Sequence, residues 1–392
     1  MVAALTGMFG AENLDTAEDA VQETLLLAMQ LWPLRGVPDK PSAWLFRVAR
    51  NKAIDTLRRG RRIIRVDFET GQVPIQHSPD AADADGDMLR MMFACCHPGI
   101  PQASQIAVIL KSLCGFGTVE IARAFVVPED TISKRLYRAK EEFRRGAVTL
   151  ELPGAEEARG RTQAVLSSLY LLFNEGYNSA SAEELIRRDL MEEAMRLCGL
   201  LLENPNTESP EAYALMALMC FHASRTDSRL SPEGEIILLP DQDRSRWDRS
   251  LIERGNALMN RAAEGEILSR YHLEAAIAYE HCVARSFEAT NWQRILRYYR
   301  VLCQSFPSPF AQLNLAVAVL CAEGPEAARE ALAAITDSGR LEKYYLYHSL
   351  RGEIELRLDR RQAAASHFAV ALDLTASEPE KRLLRSKILS TR

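Results

Sequence analysis

Apolar positions recur on a 3.6-residue period along most of the chain, and strand-type alternation is nearly absent. Short extended runs stand out at residues 63–66 and 236–239 alone. The pattern predicts an all-α protein. Residues 11–32, AENLDTAEDAVQETLLLAMQLW, form the first clear helical pattern. Ala20, Val21, Thr24, Leu25, Ala28 and Leu31 or Trp32 give it an apolar face. Asp15 or Thr16 suits its N-cap, and Glu18 and Asp19 suit its first turn. Pro33, Pro38 and Pro41 predict a break. Residues 41–62, PSAWLFRVARNKAIDTLRRGRR, then read as a second helix. Phe46, Ala49, Ala53 and Leu57 make its apolar stripe, widened by Leu45 and Val48. Arg47, Asn51, Asp55 and Arg58 fall on another face.

Periodicity lapses over residues 66–86, a polar, acidic and turn-rich run that fits a linker and includes His77. Helical patterns resume at Met88. Residues 104–113 predict a helix ended near Gly115 and Gly117. Thr118 caps a short helix, and a tight break follows at Val127 and Pro128. Glu129 or Asp130 opens another helix through Arg145. Ile121, Ala122 and Phe125 face inward from the first of this pair, and Ile132, Leu136, Ala139 and Phe143 from the second. That spacing is a helix-turn-helix pattern. It leaves Thr131, Ser133, Lys134, Arg135 and Arg138 outward, where such motifs meet base edges and phosphates.

Residues 153–160 suggest a hinge, and an apolar helix ended at residues 174–176 follows. Near the end of the chain a pattern repeats. Ala316, Ala328, Leu332 and Ile335 share their spacing with Gly352, Ala364, Phe368 and Ala371. Ile295, Tyr299, Leu302 and Pro307 match half of a further unit. Small residues where two helices cross and larger ones beyond follow tetratricopeptide logic, so the C-terminal part predicts an α-solenoid. A loop at residues 226–248 interrupts it.

Charge changes the picture at one place. The chain carries a formal net charge of −5, yet residues 40–65 hold nine Lys/Arg against one Asp. A basic face this concentrated suggests phosphate contacts. The preceding helix is acidic, so two different partners are expected. Eight irregularly spaced cysteines in 392 residues do not form a disulfide framework. No apolar run approaches membrane-spanning length, and no signal peptide is evident, so a cytoplasmic protein is expected. Cys95, Cys96 and His97 lack metal-ligand spacing and predict a buried structural site. Asp241, Asp243 and Asp248 interleave with Arg244, Arg246 and Arg249, which predicts Arg–Asp pairing rather than a cation site. No phosphate loop, nucleophile elbow or zinc-protease motif occurs, so no enzyme, cofactor or metal is expected.

An acidic helix, a basic helix with Trp44 at its start, a linker and a helix-turn-helix together resemble the extracytoplasmic-function (group 4) sigma factors of bacterial RNA polymerase. The resemblance covers residues 1 to about 148. DTAEDAVQETLLLAMQLW looks like region 2.1–2.2, which docks on the β′ clamp helices, and implies core contacts at Glu18, Asp19, Gln22 and Glu23. PSAWLFRVARNKAIDTLRR looks like region 2.3–2.4, which opens and reads the −10 element. It implies DNA contacts at Arg47, Arg50, Asn51, Lys52, Arg58 and Arg59, with Trp44 supporting a base pocket or packing. TVEIARAFVVPEDTISKRLYRAKEEFR looks like region 4.2, which reads the −35 element, and implies contacts at Thr118, Thr131, Ser133, Lys134, Arg135 and Arg138. The β flap is the partner such a region implies. The family has a longer leading helix than residues 1–10 supply, so region 2 is trimmed or Met1 is not the true start.

FNEGY, DQDRSRWD and CCHP extend the resemblance over nearly the whole chain, to ECF42-type sigma factors with a tetratricopeptide-like extension. That group implies control by the extension through intramolecular contact with the sigma domains. It implies no dedicated anti-sigma factor, and genes for small YCII-related (DGPF) proteins as targets. The expected organisation is sigma region 2 at 1–65, linker at 66–86, region 4 at 87–148, and a TPR-like domain at 149–392. The alternatives are a helix-turn-helix regulator with a ligand-sensing solenoid, active without polymerase, and an enzyme centred on residues 241–248.

Overall fold

The computed structural model describes the chain except residues 64–83, 126, 153, 180–184, 336–338, 340 and 392. Most of the expected linker, with His77, and residues 64–66 of the first extended run lie outside the described residues. Among the described residues the protein is helical, as the periodicity requires. The sole β feature among the described residues is an isolated antiparallel bridge between Leu230 and Ile236, where a strand was expected over 236–239. The chain divides into two compact units: Met1–Leu169 with Asn204–Thr207, and Tyr170–Glu203 with Glu208–Arg392.

The first unit begins with α1 (Val2–Phe9) and α2 (Leu14–Arg35), then α3 (Pro41–Ile63) and α4 (Ala84–Cys95). The sequence pattern gave no helix before residue 11. Leu5 of α1 is fully buried with Ala17 and Ala49, and Val2, Met8, Phe9, Val21 and Phe46 pack around them. Ala49 and Ala53 are both 0% exposed, so the predicted stripe of α3 is the one that enters the core. Pro33 does not break α2. It lies within the last turn, and the helix ends at Gly36, whose φ of 81° is open to glycine. The Gly36 N–H closes the end on the Trp32 carbonyl at 3.0 Å.

Helices α5 (Gln102–Ser112), α6 (Thr118–Phe125) and α7 (Glu129–Arg144) complete the body, with the first part of α8 (Ala155–Tyr177). Glu120 reaches back to the Gly117 N–H at 2.7 Å and fixes the start of α6. Ile132, Leu136, Ala139 and Phe143 are buried, the inward face that the sequence predicted for α7. Residues 155–160 of the expected hinge are instead the start of α8, with Gly160 inside the helix, and residue 153 lies outside the described residues. Arg161 of α8 is buried and donates to the Phe93 carbonyl at 3.3 Å. The first unit therefore includes residues that the sequence reading gave to the C-terminal part.

Among the described residues the second unit contains the end of α8 and ten further α-helices: α9 (Arg188–Glu203), α10 (Pro210–Ala223), α11 (Arg249–Ala262), α12 (Arg270–Val283), α13 (Trp292–Ser305), α14 (Pro309–Ala322), α15 (Pro325–Ala333), α16 (Tyr345–Arg357), α17 (Arg361–Leu374) and α18 (Glu378–Ser390). Consecutive helices pack on one another from α9 to α18, and α10 also meets α12 and α14 meets α16. Such local stacking is how helices that are each amphipathic build one continuous core. α10 is apolar all round and is covered by α9, α11 and α12.

The repeated small residues sit where helices cross. A Cβ on Gly352 of α16 would stand 2.6 Å from the fully buried ring of Phe368 on α17. Gly352→Val is expected to destabilise this unit by about 2–3 kcal/mol through overpacking. The shift of the urea midpoint of its transition measures that cost, and an unchanged midpoint would show that the crossing yields.

Candidate functional site

Two exposed surfaces and one charged junction lie on the first unit. On α3, Arg47, Asn51, Arg58 and Arg59 are exposed, and Arg50 and Lys52 are half-buried. The helical period places Arg47, Asn51 and Arg58 on one face, opposite the buried Ala49 and Ala53. Lys52 lies round the helix from them and pairs with Glu23 of α2 at 2.6 Å. Hydrogen bonding and charge from Lys52 hold the Glu23 carboxyl below its usual range. The Arg59 Nε–H donates to the Asp55 carbonyl at 3.3 Å. Trp44 is half-buried and packs against Trp32, with ring centroids 5.7 Å apart.

On α7, Ser133, Lys134 and Arg138 are exposed, and Thr131 and Arg135 are half-buried. Three residues separate α6 from α7, so the two helices form a tight hairpin. Lys134 pairs with Asp130 one turn back at 2.6 Å. The Arg135 guanidinium lies 5.3 Å from the centroid of the Phe125 ring, so it supports the hairpin as well as facing outward. Thr118 is the first residue of α6, half-buried and away from that row. Tyr137, which the sequence reading passed over, is 60% exposed beside Arg138 and the most prominent apolar group on this helix.

The acidic helix divides into two parts. Asp19, Gln22 and Glu23 are exposed, as expected, but Glu18 is only 7% exposed. Its carboxylate accepts from the Ser112 hydroxyl of α5 and from Lys140 of α7, the latter at 2.6 Å. Asp15 does not cap α2. It binds Lys140 at 2.8 Å and Arg144 at 3.0 Å. Burial alone would raise the Asp15 pKa, but hydrogen bonds from Lys140 and Arg144 outweigh it, and the carboxyl sits below its ordinary value. Burial works against the Lys140 ammonium as well, and its two carboxylate partners reverse that, so its pKa is raised. The depressed acid loses this stabilisation only as pH falls below the ordinary aspartate value of 3.8. The raised base loses it only above 10.5. Asp15 and Lys140 are therefore both charged across the neutral range.

Beyond the acidic residues, α2 turns apolar without covering itself. Leu25 is 45% exposed, Leu26 60%, Met29 74% and Leu34 83%, and Val37 follows in the turn. The predicted inward face is right for Ala20, Thr24 and Ala28 and wrong for Leu25. Spacings of three and four place Leu26, Met29 and Pro33 in a row with Gln22.

The other chemistry-bearing clusters are structural. Cys95 and Cys96 are buried, and burial pushes the Cys96 thiol up to about 12. His97 closes a turn, its Nδ1 accepting the Gly99 N–H at 3.1 Å. The aspartates of DQDRSRWD do not pair with its arginines. Asp243 accepts from the Ser245 N–H at 2.9 Å, and Asp248 caps α11 through the Leu251 N–H at 3.1 Å. Arg244 instead lies 4.7 Å from the Trp247 ring and donates to the Ala284 carbonyl. Short polar side chains satisfy nearby backbone first, which sequence spacing does not show. In FNEGY, a Cβ on Gly176 would lie 2.8 Å from the Arg187 carbonyl, so glycine admits that backbone contact. Burial and the neighbouring arginines push His222 and His281 down to about 3, so both are neutral at physiological pH. Among the described residues no group of three or more His, Cys, Asp or Glu could hold a metal ion, and no helix is long and apolar enough to cross a membrane.

Comparison with known proteins agrees with the first unit. A family described as Sigma-70 region 2 matches residues 5–63, from within α1 to the end of α3. A family of unknown function (DUF6596) matches residues 161–263. The chain is 37% identical over 384 residues to an uncharacterized protein, R00370, of Rhizobium meliloti, covering 96% of this chain and 90% of that protein. It is 39% identical over 132 residues to the ECF RNA polymerase sigma factor SigL of Mycobacterium tuberculosis, covering 33% of this chain and 72% of SigL. No solved structure matches. With a region 2 fold, an exposed cationic face on α3 and this degree of identity, the chain belongs to the family of ECF RNA polymerase sigma factors.

Proposed function

We propose that the protein is a promoter-specificity subunit of bacterial RNA polymerase, without enzymatic activity of its own. The observation that carries this reading is the outward row of Arg47, Asn51 and Arg58 on α3, inside the segment that matches Sigma-70 region 2. Promoter opening needs a cationic surface to hold a single strand and groups that accept an unstacked base. Arg50, Lys52 and Arg59 flank that row, and Trp44 serves it by packing on Trp32. Core polymerase, through its β′ clamp helices, is bound by the exposed part of α2. Asp19, Gln22 and Glu23 contribute there, together with the apolar row of Leu26, Met29 and Pro33.

The α6–α7 hairpin acts as the helix-turn-helix that reads the −35 element. Ser133, Lys134 and Arg138 are its foremost residues, with Thr131, Arg135 and Thr118 behind them and the β flap as its partner on polymerase. The second unit is a solenoid of tetratricopeptide-like helix pairs of the ECF42 type, and it controls initiation in place of a separate anti-sigma factor. The protein works in the cytoplasm.

Transcription in vitro with purified core polymerase tests the reading. The full chain directs initiation at a cognate promoter, its own among them, and a chain that binds duplex DNA equally well without core would instead be a conventional regulator. Removal of the C-terminal unit tests control by it. The cut belongs after Leu169, because Ala158, Val165 and Leu166 of α8 are buried in the first unit.

A further inference from the structure

The cluster around Trp247 in the second unit does more than brace a loop. Three helix ends meet there, each with an arginine. Arg229 donates to the Tyr177 carbonyl at the end of α8 and to Asn178 Oδ1 at 3.3 Å. Arg225 follows the end of α10, and its Nη2 reaches Gln242 Oε1 at 3.4 Å. Arg244 donates to the His281 and Ala284 carbonyls at the end of α12, at 2.5 and 2.9 Å. Carbonyls at a helix C-terminus attract a cation, so these bonds hold the loop over residues 226–248 to the helices.

That task leaves other donors unused. Arg225 Nε and Arg244 Nη2 are buried without a partner, and so are Trp247 Nε1, His222 Nδ1 and His281 Nδ1. Trp247 is only 3% exposed, and the Arg225 and Arg244 guanidiniums stand 5.1 and 4.7 Å from its ring centroid. Arg229 stacks on Tyr177 at 3.8 Å, and that ring packs on His222 with centroids 4.9 Å apart. Arg225 acts on both imidazoles, with Arg229 beside it at His222 and Arg244 beside it at His281. These side chains therefore share one neighbourhood.

Charge in that neighbourhood is one-sided. Among the described residues, Arg225, Arg229 and Arg244 form no ion pair, and the nearby Asp227 is taken by Arg188. Glu288 is exposed and reaches Arg244 through charge alone. Burial works against the Arg229 and Arg244 cations, and Arg225 adds repulsion to both. Clustered cations with unpartnered donors and no counter-charge are completed by a bound anion. A phosphate group suits them better than a carboxylate. Its oxygens form a tetrahedron rather than one plane, so donors converging from three helix ends each reach one, and guanidinium forks pair with it bidentately. The proton of a hydrogen phosphate also suits a neutral imidazole nitrogen, which accepts it.

We infer that the second unit binds a small phosphate-bearing ligand at Arg225, Arg244 and Trp247, with His222 and His281 lining the site and Arg229 adding charge. Such a site belongs to the second unit alone and does not depend on promoter recognition by the first.

Hydrogen–deuterium exchange on the unaltered full chain tests the site, with inorganic phosphate as the probe. At about 1 mM phosphate and constant ionic strength, exchange is expected to slow at residues 222–229, 242–247 and 281–284. Acetate at the same concentration is expected to leave those segments unchanged. Slowing by acetate as strong as by phosphate overturns the proposal. Unchanged exchange in these segments, or slowing confined to the cationic face of α3, overturns it as well. As a second measurement, Arg225→Gln with Arg244→Gln should weaken phosphate binding in a calorimetric titration at least about tenfold. Equal affinity of that variant and the unaltered chain also overturns the site. Should the variant fail to fold, the exchange pattern of the unaltered chain decides alone.

Discussion

Leu26→Asp with Met29→Asp is expected to lower affinity for core polymerase several hundred-fold while the protein keeps its stability. The two side chains are 60% and 74% exposed, so the fold gains little from them. Surface changes of this kind shift stability by about 0.5 kcal/mol or less, and the weaker helix propensity of aspartate adds about 0.5 kcal/mol each. In a complex the balance reverses. Apolar anchors buried at an interface contribute about 1–2 kcal/mol each, and a carboxylate placed there must be desolvated without a partner. Co-purification with core, beside a thermal melt, separates the two effects. Retained binding would move the docking surface off this face of α2. Glu23, held by Lys52, is a weaker probe, because its removal also frees a cation of α3.

The second large effect is expected on α3. Arg47→Ala with Arg58→Ala should reduce promoter-directed transcripts about 100-fold, since two charge-assisted contacts at about 1.5 kcal/mol each are lost together. Core binding should be unchanged, because both residues project away from the buried Ala49 and Ala53 stripe. Neither has an ion-pair partner among the described residues, so no structural pair is broken with them. The salt dependence gives an independent reading. Each phosphate contact to a single strand contributes about 0.7 to the slope of log affinity against log salt, so the slope should fall by about 1.4. Transcription that is unaltered in yield and salt dependence would assign strand opening to another surface. Arg135→Ala is the less direct test on the −35 side, because its contact with Phe125 ties the substitution to the packing of the hairpin.

These predictions draw unequally on sequence and structure. The inward rows of α3 and α7 were legible, because a helix that buries one stripe must repeat apolar residues every three or four positions. The cationic character of α3 was legible as well, since charge concentrated on an otherwise apolar-striped helix has to face outward. The small residues at 316, 328, 352 and 364 were legible as crossing points because a close helix crossing tolerates little side-chain volume. The exposed row of α2 was not. Leu26 and Met29 look like any helical leucine and methionine until the positions of α1 and α3 show that neither covers them. Tyr137 had no place in either row, and only the packing of α7 shows it 60% exposed.

The sequence by itself determined the helical class, the order of the elements, the sigma-like motifs and the faces on which α3 and α7 bury themselves. All of these depend on residues within a few turns of one another. Tertiary structure decided what Asp15, Glu18, Asp243, Asp248 and Arg244 do, since a carboxylate or guanidinium binds whichever partner the fold delivers. Glu18 meets Ser112 at a separation of 94 residues and Lys140 at 122, distances over which helical periodicity carries no information. An acidic residue one turn into a helix has the same local signature whether it faces water, a partner protein or a lysine of its own chain. The packing of α2 against α5 and α7 alone decided that Glu18 is held within the first unit.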